Sequence, residues 1–90
     1  MKLNIEIEYF SGEVATHVAA SPEWSKWESK TGKSIQQAES IGVNDLLFLG
    51  YNAMKRETAG TPIKPYEVWI ETVAEVRASS ANPKAIPLEA

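Results

Sequence analysis

Thr31-Gly32-Lys33-Ser34 carries the lysine and hydroxyl of a nucleotide-binding loop, and this is where chemistry first suggests itself. A phosphate-cradling loop needs a glycine five positions before the Gly-Lys-Ser glycine, so that backbone N–H groups crowd around the phosphates; Trp27 stands there instead. Such a loop also follows a buried strand and opens a helix. Ser21-Pro22-Glu23 offers an N-cap, a proline at the first helical position and an acid in the first turn, so the helix precedes Gly32, which reads as its stop. His17 is the only histidine, and an imidazole suits a general base if a carboxylate orients it. No serine, cysteine or second acid accompanies it by spacing, and a cross-strand pair with Glu6 on a solvent face is the simpler reading. Glu67, Glu71 and Glu75 stand one helical turn apart and could share a hard cation. No second element supplies further ligands, which leaves a solvated face or a contact for a basic partner. Trp24, Trp27 and Trp69 could stack bases or sugars, but in so short a chain their area is needed for the core. Neither a metal nor a cofactor is expected, and no enzymatic activity.

Composition narrows the classes further. Ninety residues, 43% of them apolar, make one small domain without room for two cores. The absence of cysteine removes disulfides and thiolate metal sites and fits a reducing compartment. A net charge of −3 argues against a general phosphate-backbone binder. The N-terminus alternates and carries acids, unlike a signal peptide, and no stretch approaches membrane-spanning length. A soluble, unprocessed protein is expected.

These residues must be positioned by few elements. Leu3, Ile5, Ile7 and Tyr9 alternate with Asn4, Glu6 and Glu8, the pattern of a half-buried strand. A two-residue Ser11-Gly12 turn sets Tyr9 against Val14, Ile7 against Thr16 and Ile5 against Val18, and His17 against Glu6. Helix one is expected from about Pro22 to Thr31, its indoles covering the hairpin. Residues 33–43 read as a connection with a short extra turn over 34–38. Helix two runs from an Asn44 cap to about Thr58 or Ala59, ending at Gly60, and is the central helix, although Phe48 falls on its polar side beside Asn52, Lys55 and Arg56. Helix three follows Pro65 and extends to about Ala78. The fold class is therefore α+β, ordered β-β-α-α-α, with a single domain over residues 1–78 and a flexible tail over 79–90. Both outer edges of a two-stranded sheet are open to pairing, which favours a homo-oligomer or another partner.

The spaced pattern Trp27-Glu28, Thr31-Gly32-Lys33-Ser34, Asn44-Asp45-Leu46-Leu47-Phe48-Leu49 through Lys55-Arg56, and Tyr66-Glu67-Val68-Trp69-Ile70 resembles the small tail assembly chaperones of long-tailed bacteriophages. The resemblance covers most of residues 22–76. Two departures are the delayed glycine after Lys55-Arg56, at Gly60, and Gly50 at a position where a bulkier residue is common. The resemblance implies a non-enzymatic protein of the bacterial host cytoplasm, absent from the mature virion. It would bind the tape measure protein and keep it soluble while the tail tube polymerises. It further implies a longer, frameshifted form of the same chain as a partner. Exposed apolar positions, Phe48 and the tail residues Ile86 and Leu88, are the candidate partner-binding residues. The alternative is a small helical DNA-binding regulator, disfavoured by the acid stripe of helix three. For Phe48, partial burial beneath residues 33–43 is the competing expectation.

Overall fold

A computed structural model describes residues 2–34 and 41–80. The alternating N-terminal segment forms β1 (Leu3–Tyr9), which turns into the antiparallel β2 (Val14–Ala19). The register differs by one residue from the expected one: Glu8 faces Val14, Ile7 faces Ala15 and Ile5 faces His17. The turn explains the slip. Two-residue hairpin turns need a positive φ, or glycine, at their first central position, where Ser11 would have stood. The chain instead turns through Phe10-Ser11-Gly12: Tyr9 N–H donates to the Glu13 carbonyl and Gly12 N–H to the Tyr9 carbonyl, both at 2.9 Å. Gly12, at φ 95°, supplies the left-handed residue of this longer loop. Ala15, His17 and Ala19 therefore share the inner face with Ile5 and Ile7, and Val14, Thr16 and Val18 share the outer face with Glu6 and Glu8.

Helix α1 (Ser21–Thr31) stops at Gly32 as expected, but its N-cap is Ala20, so Ser21 is the first helical residue and not the cap. Glu23 accepts the Ala20 N–H at 2.9 Å, and Gly32, at φ 75°, donates its N–H to the Glu28 carbonyl at 2.8 Å. Helix α2 (Val43–Glu57) is capped by Gly42, whose N–H donates to Asp45 at 3.0 Å, so the helix begins a residue before the expected Asn44 cap. It lies across the inner face of the sheet. Gly50 is the point of closest approach: a Cβ there would stand 3.1 Å from Ile5 Cγ2 and 3.2 Å from Ile7 Cδ1. This gives a packing reason for the glycine that departs from the chaperone pattern. Gly50→Leu should lift α2 off the sheet and cost about 2 kcal/mol, read as a lower urea midpoint at unchanged m-value.

The expected third long helix is not formed. Helix α3 (Tyr66–Trp69) is a single turn after Pro65, continued by a 3₁₀ turn over Ile70–Thr72. The chain then enters β3 (Val73–Ser80), which pairs antiparallel with β1. The sheet order is β2-β1-β3, so the fold is α+β with a three-stranded antiparallel sheet and not β-β-α-α-α. Thr72, Val73 and Val76 are β-branched, and a hairpin alone is marginal in water; a third strand satisfies the second edge of β1. One irregularity between Glu8 and Tyr9 accommodates Ala74. β3 continues through Ser79 and Ser80, beyond the expected domain boundary at residue 78.

The core lies between the sheet and the helices. Ile5, Ile7 and Leu49 are fully buried, joined by Trp24, Trp27 and Trp69. All three indoles thus belong to the core, as their spacing predicts. Glu23 is also fully buried, held by Arg56 of α2 at 2.7 and 2.9 Å.

Candidate binding groove

The hairpin turn, the last turns of α2 and the loop before α3 surround an open groove of about 970 Å³. Tyr9, Met54, Ile63 and Trp69 give it an apolar floor. That floor is built rigidly: Trp69 Nε1 donates to the Tyr9 hydroxyl at 3.1 Å, which ties α3 to the end of β1. Tyr51 donates its hydroxyl to the Lys64 carbonyl at 2.6 Å and so pins the loop that brings Pro62 and Ile63 to the wall. Tyr51 packs against Tyr66 and Trp69 with ring centroids 5.1 and 5.2 Å away, edge-on and tilted, as aromatic quadrupoles prefer. Phe10, at the hairpin turn, also lines the groove and is 75% exposed.

Half of the lining residues carry polar side chains, hydroxyls and charges among them. Glu13, Glu71 and Lys64 line the groove, and among the described residues none of the three is in an ion pair. His17 is part of the wall, and its Nδ1 lies 2.7 Å from Glu57 Oε1. Glu57 Oε2 accepts the Val18 N–H at 3.1 Å. Burial pushes the Glu57 carboxyl up, but the bonds from His17 and Val18, with the charges of His17 and Arg56, hold it below the usual carboxylate range.

The geometry corrects the expected His17–Glu6 pair on the solvent face. The one-residue slip turns His17 to the inner face, and its carboxylate partner comes from α2. An imidazole oriented by a carboxylate is half of a general-base arrangement. Among the described residues no hydroxyl is hydrogen-bonded to the ring, and no group of three or more His, Cys, Asp or Glu could hold a metal ion. The groove offers an apolar surface open to solvent.

The other residues singled out by sequence are dispersed. Lys33 and Ser34 follow the end of α1, with Lys33 N–H donating to Thr31 Oγ1 at 3.2 Å, so Thr31-Gly32-Lys33-Ser34 is a helix exit and not a phosphate loop. The glutamate stripe does not exist as a stripe. Glu67 is in α3, Glu71 lines the groove, and Glu75 lies on the outer sheet face bonded to Arg77. Phe48 is half-buried at the margin of the core, with Lys30 Nζ 4.6 Å above its ring. Ile86 and Leu88 lie outside the described residues, as does most of the turn expected over 34–38.

Compared with protein-family models, with curated proteins and with solved structures, the chain matches none. Among the described residues, no helix is long and apolar enough to cross a membrane.

Sequence reasoning missed the groove. Two signals for it are visible: Phe10, an aromatic that breaks the strand alternation immediately before a turn, and Ile63, an apolar residue between Pro62 and Lys64 in a connection.

Proposed function

We propose that this chain is a phage tail assembly chaperone that seats apolar helical segments of the tape measure protein in the groove between the hairpin turn and α3. The observation that carries the reading is the apolar floor of Tyr9, Met54, Ile63 and Trp69 beside an exposed Phe10. A solvated aromatic next to an apolar depression is the equipment of a protein that binds apolar stripes without chemistry. Size is compatible. A helix about 10 Å across rises about 5.4 Å per turn, so the groove holds roughly two turns. The pattern over residues 22–76 that resembles the chaperone family supplies the identity of the client. The longer, frameshifted form and the place of work in the host cytoplasm are part of the same proposal. The DNA-binding alternative has lost its recognition element, since its third helix is a single turn.

Titration of the protein with tape measure fragments, followed by calorimetry, tests this. Phe10→Ser and Ile63→Glu should each weaken binding at least tenfold, about 1.4 kcal/mol or more. Val43→Ser, which removes an exposed apolar residue at the start of α2, should leave it unchanged. Absence of binding to every fragment, or equal binding by all three variants, removes the proposal.

A further inference from the structure

The geometry points to self-association of this chain through the free edge of β3, with a twofold axis at Val76. This rests on the sheet alone and does not depend on the identity of any client.

Backbone direction comes first. Tyr9 N–H donates to Glu13 of the turn into β2, and Phe10 N–H donates to the Thr72 carbonyl on the β3 side, at 2.9 and 3.0 Å. Odd-numbered residues of β1 therefore direct their backbone groups to β2, and even-numbered ones to β3. Glu6 and Asn4 face Arg77 and Ser79, so Arg77 and Ser79 spend their backbone groups on β1. Val76 and Ala78, between and beyond these pairs, turn theirs outward.

The two edges of the sheet are not equivalent. On β2 the outward residues are Val14, Thr16 and Val18, and the N–H of Val18 donates to Glu57 at 3.1 Å while its carbonyl accepts from Arg56 at 3.1 Å. Side chains of α2 thus cap that edge at Val18, the end nearest α1. On β3 no described residue caps Val76 or Ala78, and the strand contains neither proline nor lysine, the usual guards of an edge. Its bulge is confined to the end near Tyr9.

The edge is complementary to itself. Antiparallel pairing of two β3 strands about Val76 lets the two Val76 residues exchange both backbone hydrogen bonds. It sets Glu75 of each copy opposite Arg77 of the other, on the outer face, in the closer type of cross-strand pair. Each Arg77 already lies among Glu6, Glu8 and Glu75 of its own chain, at 2.9 Å from Glu6 and 3.3 Å from Glu8, so its side chain is held on that face. A shift of one residue would direct outward donors at residues already bonded to β1. The result is a continuous six-stranded sheet, an isologous interface closed at two copies.

Sedimentation of the full chain over a concentration series should show a monomer–dimer equilibrium, with the Val76 and Ala78 amides exchanging more slowly as the dimer fills. Glu75→Arg and Arg77→Glu each place like charges in both cross-strand pairs, and each should raise the dimer dissociation constant by about tenfold or more. Mixing the two variants restores opposite charges in both pairs and should recover the dimer as a one-to-one heterodimer. Circular dichroism checks folding. If Arg77→Glu fails to fold, Ala78→Pro, which puts a ring at an outward N–H that β1 does not use, should likewise abolish the dimer. A chain that stays monomeric at every concentration overturns the inference. So do a dimer indifferent to these variants, and concentration-independent protection of Val76, which would mean that the chain's own tail or another segment covers the edge.

Discussion

Trp27→Ala should cost the fold about 4 kcal/mol. Trp27 is 2% exposed and meets Trp24 edge-to-face, with ring centroids 5.5 Å apart. Its Nε1 donates to Asp45 Oδ1 at 2.8 Å. Truncation therefore opens a cavity between α1 and α2 and strips Asp45 of one of its two donors. A domain of this size has a total stability of about 5–10 kcal/mol, so the loss is between about two-fifths and four-fifths of it. Trp27→Phe keeps one ring in place, removes the donor and leaves a smaller void than alanine does, for about 1–2 kcal/mol. Urea denaturation followed by circular dichroism distinguishes the two. Equal losses would mean that the hydrogen bond, and not burial, carries the contribution.

Glu23→Ala should cost about 2–3 kcal/mol. Both oxygens of this fully buried carboxylate are used, one on the Ala20 N–H and both on Arg56, whose Nη2 also reaches the Val18 carbonyl. One side chain thus caps α1, binds α2 and, through Arg56, touches β2. Arg56 is partly exposed, and water recovers part of what the substitution removes.

The pH dependence follows the same groups. Burial raises the Glu23 carboxyl, but the Arg56 and Ala20 bonds outweigh it and leave it below its ordinary value of 4.5. The Trp27 indole bond, above all, holds Asp45 below 3.8, against its burial. Glu57 is lowered as well. A carboxyl whose folded value lies below its unfolded one adds stability in full above the unfolded value and loses it as pH falls through the folded one. The thermal midpoint should be level from about pH 7 to pH 5 and drop steeply below about pH 4, less so in Glu23→Gln. A midpoint unchanged down to about pH 3 would contradict this.

Much of the frame could be read in advance because its signals are local. Pro22, Glu23 and Gly32 mark α1 without help from the rest of the chain, and Trp24, Trp27 and Trp69 could only be core in so small a domain. Residues 70–78 could not be assigned this way. Ala74, Glu75 and Arg77 suit a helix as well as a strand, and Ile70 with Val73 continues a helical stripe. What decides is the vacant edge of β1, far away in sequence. The His17–Glu57 pair was hidden for two reasons. Its partners are 40 residues apart, and the register that exposes it depends on Ser11 being unable to open a two-residue turn. The groove assembles from two connections and the end of α2, and connections carry no periodicity. The tie between Trp27 and Asp45 was equally invisible, although each residue was legible alone as core and as first-turn acid.

The central position of β1 has a bearing on the order of synthesis. β2 reaches it through a three-residue turn, but the Arg77 that bridges its glutamates stands 71 residues after Glu6. The sheet therefore closes through the longest loop available, the slow step in a topology of this kind. A nascent chain presents the hairpin and α1 early, with the Asn4, Glu6 and Glu8 backbone edge unpaired until β3 has left the ribosome. Any product halted before Val73 keeps that edge permanently open, and it is these fragments, not the finished domain, that should be the first targets of proteolysis and aggregation.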